Sequence, residues 1–376
     1  MLLLALLLAC TRPLASPGVL VVTIDTWRAD HLTRSISPHA WRLAQRGTRF
    51  TDAWSPIGLT TAAHASLFTG LLPPRHGLRG NNHHGYTLEP QFTTLAERFQ
   101  AAGWDTGAFV SAWPAGPAGG LDQGFETFSG PSAGERPTAE TLAEATAWLE
   151  ARRRPWFAWV HAYDPHGPYT PPDRDWREVG GGDDDKARYA GEVYAADRML
   201  GPLIERAYES GATVLLTADH GEVHDEERCG WQHERSSSEV VLRVPMVLLG
   251  PDVPEQVIDA RVGLIDAFPT LLRLAGVEDL GGHQGQDLLG PPQRAVWMGE
   301  SGLCDPACAA GCAPPGFLGK DRVVFGPRSV LVDRPGVGHE GDPTLAPHLE
   351  RYAPPRRDPE GGDAERTRAL GYTDPP

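Results

Sequence analysis

The sequence has few lysines and no net positive charge, and both shortages restrict the functions that its residues can indicate. Only Lys186 and Lys320 are lysines among 34 basic residues, so an arginine here is not by itself a sign of function. Acidic residues outnumber basic ones 49 to 34, which gives a formal net charge of −15. We therefore expect no nucleic-acid partner, because phosphate backbones bind basic surfaces. An anionic substrate stays open, because one metal ion reverses the field inside a cleft.

Long apolar runs are also missing. The amino terminus, MLLLALLLAC, is too short to span a bilayer, which takes about 20 residues, but it has the length of a signal-peptide core. Its end resembles a bacterial lipobox, so residues 1–16 are predicted as an export signal with a lipid on Cys10. A plain cleaved signal and a misassigned start codon are the alternatives. The prediction is an exported lipoprotein of the periplasm or cell envelope, held at a membrane surface.

Cysteine is scarce, with five residues in the whole sequence. Cys304, Cys308 and Cys312 are spaced by three residues, which is not the paired pattern of a zinc site. In an exported protein a disulfide within this cluster is the better interpretation, with the remaining thiol pairing with Cys229.

Strands and helices alternate along the sequence. Continuous apolar or β-branched runs predict strands at Val19–Ile24, Thr106–Ser111, Trp156–Tyr163, Val214–Thr217 and Pro245–Leu249. Helical spacing and stop signals predict helices at Thr60–Thr69, Leu95–Ala102, Thr138–Leu149 and Ala190–Tyr208, with Thr138 as the cap of the third. The acidic run GGGDDD at Gly180–Asp185 predicts a solvated surface loop. This order favours an α/β fold with a mostly parallel sheet covered on both faces.

The composition changes near residue 291, where proline, glycine and cysteine become frequent. A β-hairpin is predicted around Val323–Val332. The chain is therefore divided into a main domain at 17–290 and a small α+β subdomain at 291–376.

Unusual polar residues follow the predicted strands directly. Asp25 comes after the first strand, Asp219 and His220 after the fourth, and His161 lies at the end of the third. The carboxyl ends of parallel strands open onto one crevice, so these side chains should meet there. Two carboxylates and an imidazole suit a divalent cation, and we expect one ion of Ca, Mn, Zn or Mg.

Thr60 opens a predicted helix, where free N–H groups and the helix dipole favour an anion. A metal ion lowers the pKa of a bound oxygen by several units and would make this hydroxyl a nucleophile. The alternative is that Thr60 simply caps the helix, for which threonine is a common choice.

Several stretches, in this order, resemble signatures of the sulfatase family in the alkaline phosphatase superfamily: VLVVTIDTWRADHL, LTTAAHASLFTGLLPPRHG, WVHAYDPHGPY and LLTADHGE. The resemblance implies an α/β/α sandwich around a mostly parallel mixed sheet, a smaller C-terminal sheet, and hydrolysis of sulfate- or phosphate-type esters. It also implies that Asp25, Asp219 and His220 hold a metal ion, and that Thr60 is a nucleophile bound to the same ion.

The resemblance suggests further roles. His161 and His166 lie where the family contacts the anionic group or protonates the leaving oxygen. His233 lies where it carries a basic residue that contacts substrate. Arg79 and Asn81 are weaker candidates for substrate binding. The substrate would be a small-molecule, glycan or lipid ester.

The sequence also departs from the family. Sulfatases carry C/S-x-P-x-R, whose first residue becomes formylglycine, but residues 60–64 read TTAAH. Threonine cannot be converted in that way, so we expect phosphoryl rather than classical sulfate chemistry. His64 stands in the arginine position and either supports Thr60 as a hydrogen-bond partner or fills the space. Thr26 replaces the usual second acid and Ser111 a lysine.

Two other functions stay open on these residues. One is a phosphoryl-group transferase that acts on envelope lipids or glycans. The other is a degenerate, non-catalytic lipoprotein that binds an anion or a glycan.

Overall fold

The computed structural model describes residue 14 and residues 17–224, 233–292, 294–301, 321–334 and 338–351. All five cysteines lie outside these ranges, so the lipid on Cys10 and the disulfides stay predictions. A search of the described helices finds none with both the length and the apolar character needed to cross a bilayer.

The main sheet contains nine strands in the described ranges. They are β1 Gly18–Ile24, β2 Thr48–Trp54, β3 Asp105–Val110, β4 Thr127–Ser129, β5 Trp156–Ala162, β6 Thr213–Ala218, β7 Arg243–Leu249, β8 Gln256–Ile258 and β9 Val262–Gly263. Their order is β4-β3-β5-β1-β6-β7-β2-β8, with β9 also paired to β2. Strand β7 runs antiparallel to β6 and β2, and the other pairs are parallel. The predicted mostly parallel mixed sheet is confirmed.

Helices cover the sheet in two groups. The α-helices are α1 Pro38–Leu43, α2 Thr60–Thr69, α3 Pro73–His76, α4 Leu95–Ala101, α5 Thr138–Glu150, α6 Asp173–Glu178, α7 Asp185–Glu209, α8 Glu239–Leu242, α9 Ala267–Ala275 and α10 Ala346–Arg351. Helix α7 contacts both α1 and α5, helices α2, α4 and α9 contact one another, and both groups contact central strands. This is the predicted α/β/α arrangement.

Two local predictions were wrong in part. Helix α7 begins at Asp185, five residues earlier than predicted, because the side chain of Asp184 caps it by accepting from the backbone N–H of Ala187. The acidic run that predicted a loop therefore starts the helix. Thr138 does not cap α5, since Pro137 holds that position and the Thr138 hydroxyl donates to Asp164.

A small antiparallel sheet follows the main sheet. Its strands are β10 Trp297–Glu300, β11 Arg322–Phe325, β12 Val330–Arg334 and β13 Gly338–Gly341. The pairing of β11 with β12 confirms the predicted hairpin. Trp297 and Phe325 pack in one buried cluster with Trp54 of β2, so the small sheet rests on the main body. The division of the chain at residue 290 stays a prediction.

Strand β1 occupies the centre of the main sheet and fixes the position of the site. It is buried along its whole length, and each buried aliphatic side chain stabilises the fold by about 1.5–3 kcal/mol. Ile24 lies beside Ala162 of β5 and Ala218 of β6, so these three strands end at one level. The residues at and just after these ends share one edge, as predicted.

Candidate active site

Four polar side chains meet at this edge of the sheet. Asp25 follows β1, Asp219 and His220 follow β6, and His161 is the penultimate residue of β5. All four are fully buried. One ligand atom each from Asp25, Asp219 and His220 lies within 4.8 Å of the others. The structure therefore brings together the residues predicted from the sequence, with all four side chains shielded from bulk water.

The hydrogen bonds around Asp219 and His220 fit a cation. Oδ1 of Asp219 accepts from the backbone N–H groups of Thr26 and His220, at 3.3 and 2.8 Å. Nδ1 of His220 lies 3.0 Å from the Gly221 carbonyl, which only accepts, so the proton is on Nδ1 and the Nε2 lone pair is free. That lone pair lies 3.4 Å from Oδ2 of Asp219. Two facing acceptors repel each other unless a cation lies between them.

The charge of the pocket leads to the same conclusion. Oδ1 of Asp25, Oδ2 of Asp219 and Nε2 of His220 are buried with no hydrogen-bond donor among the described residues. Burial and the neighbouring Asp219 carboxylate raise the pKa of Asp25 well above its usual value. Two carboxylates this close are costly without a counter-charge, and a divalent cation supplies it. The donor set suits the predicted ions.

Thr60 lies directly beside this cluster. Its hydroxyl donates to Oδ2 of Asp25 at 3.3 Å, and it is the first residue of α2. The capping position belongs to Leu59, so the alternative interpretation of Thr60 as the helix cap is wrong. The next backbone amide, of Thr61, donates to Oδ1 of Asn81 at 2.9 Å. Thr60 thus has both the cation ligands and a helix N-terminus as neighbours.

His64 is fixed by hydrogen bonds on both ring nitrogens. Nδ1 lies 2.7 Å from the Thr60 carbonyl and so carries the proton. Nε2 lies 2.9 Å from Oγ1 of Thr23, which also accepts from Trp159, and therefore accepts the Thr23 hydroxyl proton. Burial lowers the pKa of His64 to about 4. His64 supports the Thr60 backbone as a neutral ring and does not contact the Thr60 hydroxyl.

This arrangement also decides between two possible ligand groups. The atoms of His64, His161 and Asp219 are close enough to form a second metal-binding group. Both nitrogens of His64 are already used, so the group of Asp25, Asp219 and His220 is the better cation site. His161 remains beside it, with Nε2 at 3.4 Å from Oδ2 of Asp25, and burial lowers its pKa to about 4.

His233 forms a buried ion pair next to the cluster. Its ring stacks on His220 at 4.3 Å, and its Nδ1 lies 3.2 Å from Oε2 of Glu222. Burial lowers the pKa of His233, but the Glu222 carboxylate outweighs it and raises the pKa to about 9. The partly buried ring of His166 lies 5.2 Å from that of His233. The two predicted substrate-facing histidines are therefore neighbours.

Arg79 is engaged elsewhere. Its Nε and Nη2 donate to Oε1 and Oε2 of Glu300, at 2.7 and 2.5 Å, and both side chains are buried. Glu300 belongs to β10, so this pair joins the small sheet to the loop that carries Asn81. Substrate binding by Arg79 stays a prediction, and the contacts described here give it a linking role.

Comparisons with known proteins identify the family. The sequence model of the Sulfatase family matches residues 17–277, which is well over half of the chain. The chain belongs to the sulfatase family.

Sulfatase-family relatives share the chain only in part. Arylsulfatase K of Danio rerio is 33% identical over 109 residues, which cover 28% of this chain and 20% of that protein. Arylsulfatase A of Homo sapiens is 34% identical over 138 residues, which cover 33% of this chain and 26% of that protein. The chain thus matches well under half the length of these relatives.

Solved structures confirm the sulfatase-type fold across the chain. Phosphonate monoester hydrolase of Agrobacterium radiobacter has a TM-score of 0.71 and 19% identity, and covers 95% of this chain and 94% of its own. A 2-O GAG sulfatase has a TM-score of 0.65 and 16% identity, and covers 95% of this chain and 90% of its own.

Three features of the sulfatase-type site were missed from the sequence. Glu222 belongs to the quoted stretch LLTADHGE, and its place two residues after His220 could have suggested it. Tyr189 lies on α7 and gives no local signal. Thr26 was noted only for the acid it replaces, whereas its backbone is strained, with a φ of 54°.

Proposed function

We propose that the protein is a metal-dependent ester hydrolase that acts on phosphoryl-type esters, phosphate or phosphonate, in preference to sulfate esters. One observation carries the proposal. The Thr60 hydroxyl is hydrogen-bonded to Asp25 beside three buried ligand atoms that have no donor among the described residues. A nucleophile and a cation site in contact are what such hydrolysis needs.

Asp25, Asp219 and His220 would hold a divalent cation, which would supply electrostatic stabilisation and lower the pKa of an adjacent hydroxyl. Thr60 Oγ1 gives its proton to the Asp25 carboxylate, to which it is hydrogen-bonded, and attacks the phosphorus atom, forming a P–O bond as the bond to the leaving oxygen breaks. Thr60 is the first residue of α2, so the positive end of that helix dipole lies beside the phosphoryl group and favours the negative charge that develops there. Water then attacks the same phosphorus atom and releases Thr60.

The leaving oxygen needs a proton, and histidines surround the site to give it. His233 is the first candidate, because Glu222 raises its pKa to about 9 and keeps its ring protonated near pH 7. His166 beside it and His161, 3.4 Å from Asp25, are weaker donors, because burial lowers the pKa of both to about 4 and leaves their rings neutral. Protonation of a leaving group typically contributes about 10²–10⁴-fold to the rate.

The preference for phosphorus follows from residue 60. Sulfatases of the formylglycine type use an aldehyde hydrate, and threonine cannot form one. A threonine ester of phosphorus is hydrolysed by direct attack of water, so a plain hydroxyl suffices. The solved structures that share this fold include both a phosphonate monoester hydrolase and a 2-O GAG sulfatase, so the preference rests on residue 60 alone.

A substrate screen tests the proposal. The protein is assayed with four substrates, each in the presence of Mn²⁺, Zn²⁺, Ca²⁺ or Mg²⁺. They are nitrophenyl phosphate, a phosphodiester, a phosphonate monoester and a sulfate ester. We expect phosphorus esters to be hydrolysed, chelation to stop turnover, and Thr60→Ala to lose turnover while still binding metal. Hydrolysis of the sulfate ester alone, or full activity of Thr60→Ala, contradicts the proposal. If the phosphoryl group passes to an added alcohol in place of water, the protein is a transferase.

A further inference from the structure

The residue after Asp25 has a strained backbone. Thr26 has a φ of 54°, and among the described residues it is the one non-glycine residue with a positive φ. A β-branched side chain rarely adopts this left-handed conformation, because its Cβ crowds the backbone. Such strain persists only where surrounding contacts hold it in place, and it is concentrated at functional sites.

The contacts of Thr26 show what this conformation achieves. Its N–H donates to Oδ1 of Asp219 at 3.3 Å, and its carbonyl accepts from the Tyr189 hydroxyl at 2.7 Å. With Oδ1 engaged by backbone amides, Oδ2 of Asp219 is the oxygen without a donor among the described atoms. The turn after β1 therefore orients the carboxylate of Asp219, which directly follows β6.

Tyr189 holds this turn from outside the sheet. It lies on α7 and is fully buried. Its hydroxyl donates to the Thr26 carbonyl and accepts from the Arg28 N–H at 3.0 Å, so one oxygen fixes both sides of the turn. Its ring packs edge-on against Tyr169 and His224, with centroids 5.5 and 4.6 Å away. A buried hydroxyl with both bonds satisfied is costly to disturb.

We propose that Tyr189 is a positioning residue of the cation site. Its hydroxyl holds residues 25–28 in the strained conformation that presents Asp25 and Asp219 to a divalent cation. It acts through the backbone of Thr26. The proposal rests on the proposed function only in taking Asp25, Asp219 and His220 as a cation site.

A double-mutant cycle on the full chain tests this role. Tyr189→Phe removes only the hydroxyl, and Thr26→Gly removes the strain, because glycine adopts positive φ freely. The dissociation constant for Mn²⁺ is measured by titration calorimetry after chelator treatment. We expect Tyr189→Phe to weaken binding about tenfold with Thr26 present, and less than about twofold when Thr26→Gly is already in place.

Tyr208→Phe is the matched control. Tyr208 lies on the same helix, and its hydroxyl also donates to a backbone carbonyl, that of Arg46, at 3.4 Å. Its removal should leave the Mn²⁺ dissociation constant unchanged. Circular dichroism verifies folding of each variant. If Tyr189→Phe folds only in combination with Thr26→Gly, the double variant is compared with Thr26→Gly alone. Equal affinity of these two variants for Mn²⁺ supports the positioning role.

The outcomes separate this proposal from the proposed function. A wild-type protein that does not bind Mn²⁺ overturns the cation site, and the role of Tyr189 with it. A wild-type protein that binds Mn²⁺ no better than Tyr189→Phe overturns only the positioning role. Equal weakening by Tyr189→Phe in the wild-type and Thr26→Gly backgrounds also overturns it, because the loss would then be unrelated to the strained turn.

Discussion

Thr60 offers two groups to its surroundings, a hydroxyl hydrogen-bonded to Asp25 and a methyl group. Thr60→Ser keeps the hydroxyl, so we expect kcat within about tenfold of the wild type. Thr60→Val keeps the shape and loses the hydroxyl, and we expect a loss on the order of 10³-fold or more, as for other removed nucleophiles. Steady-state kinetics with a phosphonate ester at saturating Mn²⁺ measures both. Equal activity of the Ser and Val variants would show that the hydroxyl does not react.

His64 shows how a single residue can look catalytic in a sequence and prove supportive in a structure. Its position matched an arginine of the family motif, but its ring bonds to the backbone of Thr60 and to Thr23. The His64 ring packs against that of Trp159, with centroids 4.8 Å apart, so His64→Phe keeps this contact and loses both hydrogen bonds. We expect the free energy of unfolding to fall by about 1–3 kcal/mol. We expect kcat to fall by less than about 100-fold, with its pH profile unchanged.

Urea unfolding and a pH–rate profile measure the two effects of His64→Phe. Disappearance of one limb of the profile would instead assign His64 a proton-transfer role.

At the scale of elements, strands made of a continuous run of apolar, β-branched side chains were predictable, and strands that mix polar and apolar side chains were not. Strand β1 reads GVLVVTI and is buried throughout, so its run of β-branched residues marks it clearly. Strand β2 reads TRFTDAW and alternates only partly, with a bulge between Phe50 and Ala53, so no pattern identified it. The missed elements are those whose burial depends on distant partners.

The same reasoning explains the site. Asp25, Asp219 and His220 were predictable because strand ends in a parallel sheet point to one edge. Tyr189 and Thr26 are 163 residues apart, and the side chain of one meets the backbone of the other, which leaves no trace in either local sequence. The Arg79–Glu300 pair spans 221 residues and was missed for the same reason.

At the scale of the whole molecule, the Arg79–Glu300 pair couples the small sheet to the active-site loop. Glu300→Gln replaces the carboxylate that accepts two hydrogen bonds from Arg79 by a neutral amide, and breaking a buried ion pair costs about 3–5 kcal/mol. Because Asn81 lies two residues from Arg79 and accepts from Thr61, we expect kcat to fall about tenfold as well, measured well below the unfolding temperature.

Asp175→Asn is the matched control for this prediction. It breaks the corresponding two bonds to Arg198, at 2.7 and 2.9 Å, between α6 and α7. That variant should lose stability and keep its kcat. If both variants lose stability and neither loses kcat, the Arg79–Glu300 pair only fastens the small sheet.

Acid stability is a property of the whole molecule, because the fold buries several histidines as neutral rings. His76 accepts from the Leu78 N–H at Nδ1, at 3.1 Å, and Nε2 lies 2.9 Å from the Ser66 hydroxyl. Burial lowers the pKa of His76 to about 3. The unfolded chain therefore takes up a proton near pH 6.5 that the folded chain cannot hold, and stability falls as the pH drops from about 6.5 towards 3.

His76→Gln tests this prediction, since glutamine supplies a donor and an acceptor and does not titrate. Below pH 6 the free energy of unfolding of the wild type should decline more steeply than that of the variant, by about 1.4 kcal/mol per pH unit, which is one proton. Above pH 7 the two curves should run parallel. Urea unfolding between pH 5 and 8, in the presence of a chelator, measures both slopes. Parallel curves over the whole range would mean that the pKa of His76 in the folded protein is close to that in the unfolded chain, and would contradict the prediction.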